Sequence, residues 1–418
     1  MPRGKSTERL RRNGPDSVET LPARVTAAPP AAPPGCRSAH VERARWEWRI
    51  GDGGDPAALV QEFLAAHGLA LDDLARPVGR TPERACGAAL YVSAAAGALG
   101  VGRGPGPATP APALPDVAVV VYGHAATSRS RPARRRPSGW RLGAWAESWT
   151  PQQHADAVRA VRAAIGRGDV YQANLVGHAA ARYAGDPLPA LARLGALPGA
   201  RYGGVLTGAG WAIGCASPET LVEVTAGRMI TRPIKGTRPA TVAGRAALLS
   251  SAKERAEHVM IVDLQRNDLA RLARTGTVAV DELFAVRRWC DLWQAESTVS
   301  AAVAEGVGLA ELLRAVCPGG SVTGAPKLAA LAHIAALEPV GRGASMGALG
   351  WVTSGRVDLG LTIRTAAADA DHLHVWAGGG ITWGSDPEAE VAEAAAKSAP
   401  VRAALATEGL RRGIGGTA

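Results

Sequence analysis

From Thr150 onward the chain alternates single, well-punctuated helices with groups of strands, and this order limits the available folds more than any other feature. The stretch TPQQHADAVRAVRAAIGRG (150–168) sets a threonine ahead of the periodic run, Pro151 at the first helical position and a glycine at its end. Those are start and stop signals of a helix. DVYQANLVGHAAA (169–181) then reads as a strand, and further strands are predicted across 203–231. A long helix is predicted from Ser251 to Arg274, closed by Gly276. Another begins near Pro326, and a last one spans 387–406. No Rossmann glycine fingerprint accompanies these elements, so α+β is favoured over a doubly wound parallel sheet.

Upstream the signals are weaker. Residues 1–40 are basic and end in the proline-rich APPAAPPGC, which reads as a disordered tail. Residues 41–149 form a reduced N-terminal region that contributes strands. VERARWEWRI (41–50) alternates as a strand, 56–76 reads as a helix, GVGRGPGPATPAPAL (100–114) as a loop, and PDVAVVVYG (115–123) as a buried strand. The main domain is placed at 150–405, and 406–418 is a short C-terminal tail.

The formal charge of +10 raises the question of a nucleic-acid or membrane-surface partner. Its distribution argues against both. Residues 1–45 carry nine Arg/Lys against four Asp/Glu, and residues 129–141 carry six arginines and no acid. The remainder is close to neutral. The arginine run lacks interleaved aromatics, so nucleic-acid binding is not expected. Five cysteines (Cys36, Cys86, Cys215, Cys290, Cys317) are scattered without a CxxC pair. Neither a disulfide framework nor a zinc site is expected, and a reducing, cytoplasmic setting fits. No apolar run reaches the roughly 18 residues of a membrane span, and the N-terminus lacks an apolar signal core.

Lys235, in PIKGTRPA (233–240), is the candidate nucleophile. Gly236 permits backbone conformations that a side chain would exclude, and Thr237 and Arg238 set donors beside the amine, as an anionic substrate requires. Glu390 and Glu393 are three apart in a helical pattern and share a face, while Glu257 lies in the other long helix. Carboxylates brought together repel unless a cation joins them, and an oxygen-only donor set points to Mg²⁺.

Five motifs in one order give these residues a context: PIKGTRPA, KERAEHVMIVDLQRNDLARLARTG (253–276), PGGSVTGAPK (318–327), DLGLTIRT (358–365) and AGGGITWGSDPEAEVAEAAAK (377–397). Across 150–405 the chain resembles the chorismate-utilising enzymes, in particular the aminodeoxychorismate synthase component I family, with anthranilate synthase component I as the nearest relative. The resemblance implies a layered α/β sandwich with two mixed sheets flanked by helices. It also implies Mg²⁺ on Glu257, Glu390 and Glu393, no organic cofactor, and ammonia delivered by a separate glutaminase subunit.

Residue by residue, the resemblance makes Glu219 the general acid for the hydroxyl leaving from ring C4. Arg364 and Lys397 correspond to the clamp on the enolpyruvyl carboxylate. Gly378, Gly379 and Gly380 allow close backbone approach, and Ser321, Thr323 and Gly324 lead to a helix start at Pro326 that favours a carboxylate. Thr323 has a plain alternative as a helix cap. Two departures stand out: Gln294 replaces a histidine that assists the leaving hydroxyl, and Ser345 replaces a tyrosine that holds a substrate carboxylate. Gln172 stands where isochorismate and salicylate synthases have a water-activating lysine, and glutamine cannot take that proton. With lysine rather than the usual alanine at 235, the expected product is 4-amino-4-deoxychorismate, for p-aminobenzoate and folate or an antibiotic precursor. Anthranilate synthase is the runner-up, and a non-catalytic relative with a basic interaction tail is the alternative from another class.

Overall fold

The computed structural model describes residues 40–76, 85–124 and 139–406. The basic tail up to residue 39, most of the arginine run and residues 407–418 lie outside the described residues. Two large sheets pack in layers with helices against them. In the ten-stranded sheet the order runs His40–Trp48, Val117–His124, Gly87–Val92, Ala348–Thr353, Arg356–Leu361, Thr220–Thr225, Arg228–Arg232, Leu292–Ala302, Ile234–Pro239, with Ala279–Trp289 also paired to Leu292–Ala302. The eight-stranded sheet runs Gly324–Ala325, Gln172–Ala184, His372–Ile381, Thr365–Asp369, Trp211–Ser217, Tyr202–Gly208, with two short strands added along Gln172–Ala184.

The expected α+β sandwich is thus present. Its sheets, expected to be mixed, are antiparallel in every described pairing. Hairpins such as 202–217 and 348–361 join neighbours through tight turns, which parallel strands could not use. Strand Gly87–Val92 pairs with Ala348–Thr353, so the front region is built into the same sheet as the later motifs.

The helices follow their sequence punctuation. Thr150 caps Pro151–Arg167 with a full capping box to Gln153, and Gly168 closes it in the left-handed region at φ +83°. Such a cap contributes about 1 kcal/mol. Ser251 accepts from the Glu254 amide at the head of Ala252–Ala270, and Asp386 does the same for Ala389 at the head of Pro387–Leu405. Two helices are shorter than predicted. The first ends at Ala66 because Gly68 turns the chain at φ +81°, and Leu69, Leu71 and Leu74 then reach the core from an irregular segment. The second stops at Ala270, with Gly276 in a later turn. No described helix is long and apolar enough to cross a membrane.

Candidate active site

A cleft between the two sheets, open to solvent, holds a cavity of about 110 Å³. One wall is Ile234–Pro239 with its neighbour Leu292–Ala302; the other is the glycine-rich end of His372–Ile381. Helices Ala252–Ala270 and Pro387–Leu405 bring their first turns to its rim.

Lys235 points into this cleft. A bulge separates it from Thr237, with Gly236 between them at φ +77°. A Cβ at Gly236 would come within 2.8 Å of Leu248 Cδ1 and 3.0 Å of Glu254 Oε2, so the turn needs glycine for space as well as for φ. The Lys235 amine donates to the Ser321 carbonyl at 3.1 Å. Burial, aided by the nearby Lys397 charge, lowers its pKa, and Glu219, Glu257 and Glu393 oppose the shift. The shift is toward the neutral form of the amine.

Glu219 sits where the chain crosses from the eight-stranded to the ten-stranded sheet, and only 4% of it is exposed. Ser321 Oγ donates to its Oε1 at 2.5 Å. Burial pushes the carboxyl up to about 7, against the pull of that bond and of Lys235. Ser321 therefore joins the two groups, with its hydroxyl on the acid and its carbonyl on the amine. Gln294 lines the same wall, directly opposite Thr237 across the strand pair.

On the cationic side, Arg364 is buried at φ +53°, donates to the Lys397 carbonyl at 2.8 Å, and stacks 4.4 Å over the Trp289 ring. Burial lowers its pKa to about 10, which leaves it charged at neutral pH. Lys397 Nζ bonds the Gly378 carbonyl at 3.0 Å and lies 2.5 Å from Glu393 Oε1. The three glycines differ in purpose. A Cβ at Gly378 would fall 1.8 Å from the Leu175 carbonyl of the paired strand, one at Gly379 would face Glu390 Oε2 at 3.1 Å, and one at Gly380 would reach Lys235 Nζ at 2.8 Å.

The three nominated acids line the cleft together. Glu257 Oε1 accepts from Thr382 at 2.8 Å, and Glu390 Oε1 from Ser385 at 2.6 Å. Burial and the Glu393 charge raise the Glu390 pKa, whereas Lys397 holds that of Glu393 down. Among the described residues these acids do not close into a group with all ligand oxygens within 4.8 Å, since each is drawn to its own partner. All donors are oxygens and more than one is anionic, a set that fits a hard dication such as Mg²⁺.

Three nominated residues do not line the cleft. Thr323 is fully buried and its hydroxyl closes back on the Gly319 carbonyl at 2.9 Å. It caps no helix either, because Lys327–Leu337 starts at Pro326 without a side-chain cap. Gly324 pairs with Ala173, and a Cβ there would strike the Gln172 carbonyl at 2.1 Å, so its glycine serves strand packing. Ser345 is fully buried and donates to the Thr362 carbonyl at 3.2 Å, with its neighbour Met346 at the cleft instead. The Ser345 hydroxyl is therefore spent on the backbone and does not face the cleft.

Other residues join the site without having been nominated. Glu254 lines it and pairs with Arg238 at 2.8 Å; it precedes Glu257 by the same three residues that separate Glu390 from Glu393, a signal present in the sequence. Asn174 lines the cleft, and Gln172 is 1% exposed next to Gly380 and Lys235. Neither amide atom of Gln172 nor the Asn174 Oδ1 has a hydrogen-bond partner. Unsatisfied buried amides beside a cleft mark where a polar ligand belongs.

The profile of a family described as chorismate binding enzyme matches residues 115–403. The chain belongs to the chorismate binding enzymes. It is 37% identical over 318 residues to aminodeoxychorismate synthase component 1 of Salmonella typhimurium, covering 69% of this chain and 70% of that protein. Against the Escherichia coli (strain K12) protein of the same name it is 39% identical over 256 residues, 60% of this chain and 56% of that one. Anthranilate synthase component 1 of Streptomyces coelicolor is 38% identical over 262 residues, 61% and 51%. These last two matches span little more than half of the relatives' length. Anthranilate synthase component I from Streptococcus pneumoniae TIGR4 shares the fold, with a TM-score of 0.74 at 24% identity over 88% of this chain and 92% of that one. The menaquinone-specific isochorismate synthase from Escherichia coli shares it at a TM-score of 0.60 and 14% identity, over 92% and 96%. This member of the family is a chorismate-utilising enzyme of the aminodeoxychorismate synthase component 1 type.

Proposed function

We propose that this enzyme aminates chorismate at C4 to give 4-amino-4-deoxychorismate, by way of a covalent bond between substrate and Lys235. The amine attacks ring C2, both ring double bonds shift (C1=C2 to C1=C6, and C5=C6 to C4=C5), and the C4 hydroxyl leaves as water with a proton from Glu219. Ammonia then adds at C4, both double bonds shift back, Lys235 departs from C2 with its electron pair as the starting amine, and the new C4 ammonium returns a proton to Glu219. Arg364 and Lys397 hold the enolpyruvyl carboxylate, Arg364 by its planar guanidinium. Gln294 hydrogen-bonds the leaving oxygen without transferring a proton, which leaves that transfer to Glu219. Gln172, with both side-chain amide atoms unpartnered, and Asn174, with its Oδ1 unpartnered, offer polar contacts to the substrate. Glu257, Glu390 and Glu393, with Glu254 beside them, would hold Mg²⁺, which when bound neutralises a substrate carboxylate.

One observation carries this reading: Lys235 and Glu219 meet at opposite ends of Ser321, the amine with its pKa lowered and the acid with its pKa raised toward neutrality. A nucleophile and an acid need opposite shifts, and burial supplies both. The named relatives support the assignment, and a glutamine-hydrolysing partner subunit and a cytoplasmic location follow from it. Anthranilate synthase is the competing reading, because component 1 of that enzyme is also among the relatives. Incubation with chorismate, Mg²⁺ and ammonia should yield aminodeoxychorismate, and Lys235→Ala should lose it. Anthranilate as the main wild-type product, or undiminished turnover in the variant, would reject the proposal.

A further inference from the structure

At the far end of the ten-stranded sheet, remote in sequence from every cleft motif, three strands bring His40, Cys86 and His124 together. His40 and His124 are direct partners across the edge pair His40–Trp48 and Val117–His124. Cys86 precedes the strand Gly87–Val92 on the other side of Val117–His124, where its amide bonds the Tyr122 carbonyl at 2.8 Å and its thiol donates to that same carbonyl at 3.1 Å. One ligand atom from each of the three lies within 4.8 Å of the others.

We propose that these residues form a binding site for a borderline-soft divalent ion, Zn²⁺ in particular, separate from the acidic cleft. Two imidazoles and a thiolate are the donors that Zn²⁺ selects over Mg²⁺, and three protein ligands leave one position for water. Ligand atoms around a tetrahedral zinc stand about 3.3–3.6 Å apart, given its bond lengths. Closure from a spacing within 4.8 Å therefore needs at most about 1.5 Å of side-chain adjustment. A second observation points the same way: His40 Nε2 is shut off from solvent and has no hydrogen-bond partner. A buried ring nitrogen without a partner is costly, and coordination would satisfy it. Trp351 and Tyr122 wall one side, with the His40 ring 6.0 Å from Trp351 and 6.5 Å from Tyr122, a dry surround that strengthens metal binding.

On binding, the Cys86 thiol loses its proton to solvent and the sulfur forms the Zn–S bond, with no change of oxidation state. The ion would tie the edge strand His40–Trp48 to the two strands behind it. Isolated cysteines in a sequence do not disclose such a site, because its ligands are separated by 46 and 38 residues and meet only through strand pairing.

The test uses the full 418-residue chain, stripped with a chelator and then held in excess Mg²⁺, titrated with Co²⁺ as a spectroscopic substitute and challenged with Zn²⁺. The expected result is a thiolate-to-cobalt charge-transfer band with tetrahedral visible bands, complete at one equivalent and bleached by Zn²⁺. Cys86→Ser should abolish the charge-transfer band. His124→Ala, at an exposed position that tolerates truncation, should weaken Co²⁺ binding by more than the roughly 10- to 100-fold that loss of an outer partner costs. Absence of the band in the wild-type protein, its survival in Cys86→Ser, or unchanged Co²⁺ affinity in His124→Ala overturns the assignment.

Discussion

Gly380→Ala separates the chemistry of the cleft from the stability of its sheet. A Cβ at this position would lie 2.2 Å from Gln172 Nε2 and 2.8 Å from Lys235 Nζ. Ordinary contacts are about 3.5 Å, so the overlaps are about 1.3 and 0.7 Å. Both opposing atoms end flexible side chains and can swing away, which keeps the folding cost at the low end of the roughly 1–3 kcal/mol of overpacking. The amine, however, must move by most of an ångström. Misplacement on that scale costs about 10²-fold in rate, equivalent to about 2.7 kcal/mol on the barrier. Gly378→Ala is the contrast, because its Cβ would meet the Leu175 carbonyl at 1.8 Å and the Val176 Cα at 2.7 Å, backbone atoms that cannot rotate aside. Initial rates of chorismate amination with ammonia, paired with thermal melting, read the two effects. The G380A protein should melt near the wild type and turn over slowly, while G378A should lose stability first. Wild-type kcat in G380A, or equal loss of melting temperature in both, would refute the placement of the Lys235 amine.

The other expectations concern the acids. With Glu219 as proton donor, kcat/KM should fall by about tenfold per pH unit above about pH 7, and E219Q should lose both that limb and about 10²- to 10⁴-fold in rate; an unaltered alkaline limb in E219Q would remove the role. The same shift acts on stability. Folded Glu219 holds a proton up to about pH 7 that the unfolded chain releases near its ordinary carboxylate range, so its contribution is lost as pH rises through about 7, and E219Q should compare more favourably with wild type in melting at pH 8 than at pH 5. E393Q should raise the Mg²⁺ concentration for half-maximal rate by about tenfold or more, and an identical titration curve would count against ligation.

Much of the cleft was legible because its residues sit in short motifs whose chemistry is local: the amine of Lys235, the acids at helical spacing, the glycines before Ile381. What escaped depends on contacts that no local spacing encodes. Thr323, Gly324 and Ser345 share motifs with cleft residues, yet each turns its polar or bare face to the backbone of a neighbouring segment. Glu254 was missed although its spacing to Glu257 repeats that of Glu390 and Glu393. The fold class followed from the order of helices and strands and from the family resemblance, while the antiparallel pairing did not, because alternation within a strand says nothing about the direction of its neighbour. His40, Cys86 and His124 are the extreme case, brought together by the register of three strands alone.

The covalent role of Lys235 is open to direct weighing. The 418-residue protein, mixed with chorismate and Mg²⁺ without ammonia and quenched in acid, should show by intact mass spectrometry a species heavier by one chorismate less one water. Peptide mapping should place the addition on Lys235, and it should vanish on adding ammonia or in Lys235→Ala. An unmodified protein under conditions in which ammonia restores rapid amination, or an adduct on another residue, would contradict the account.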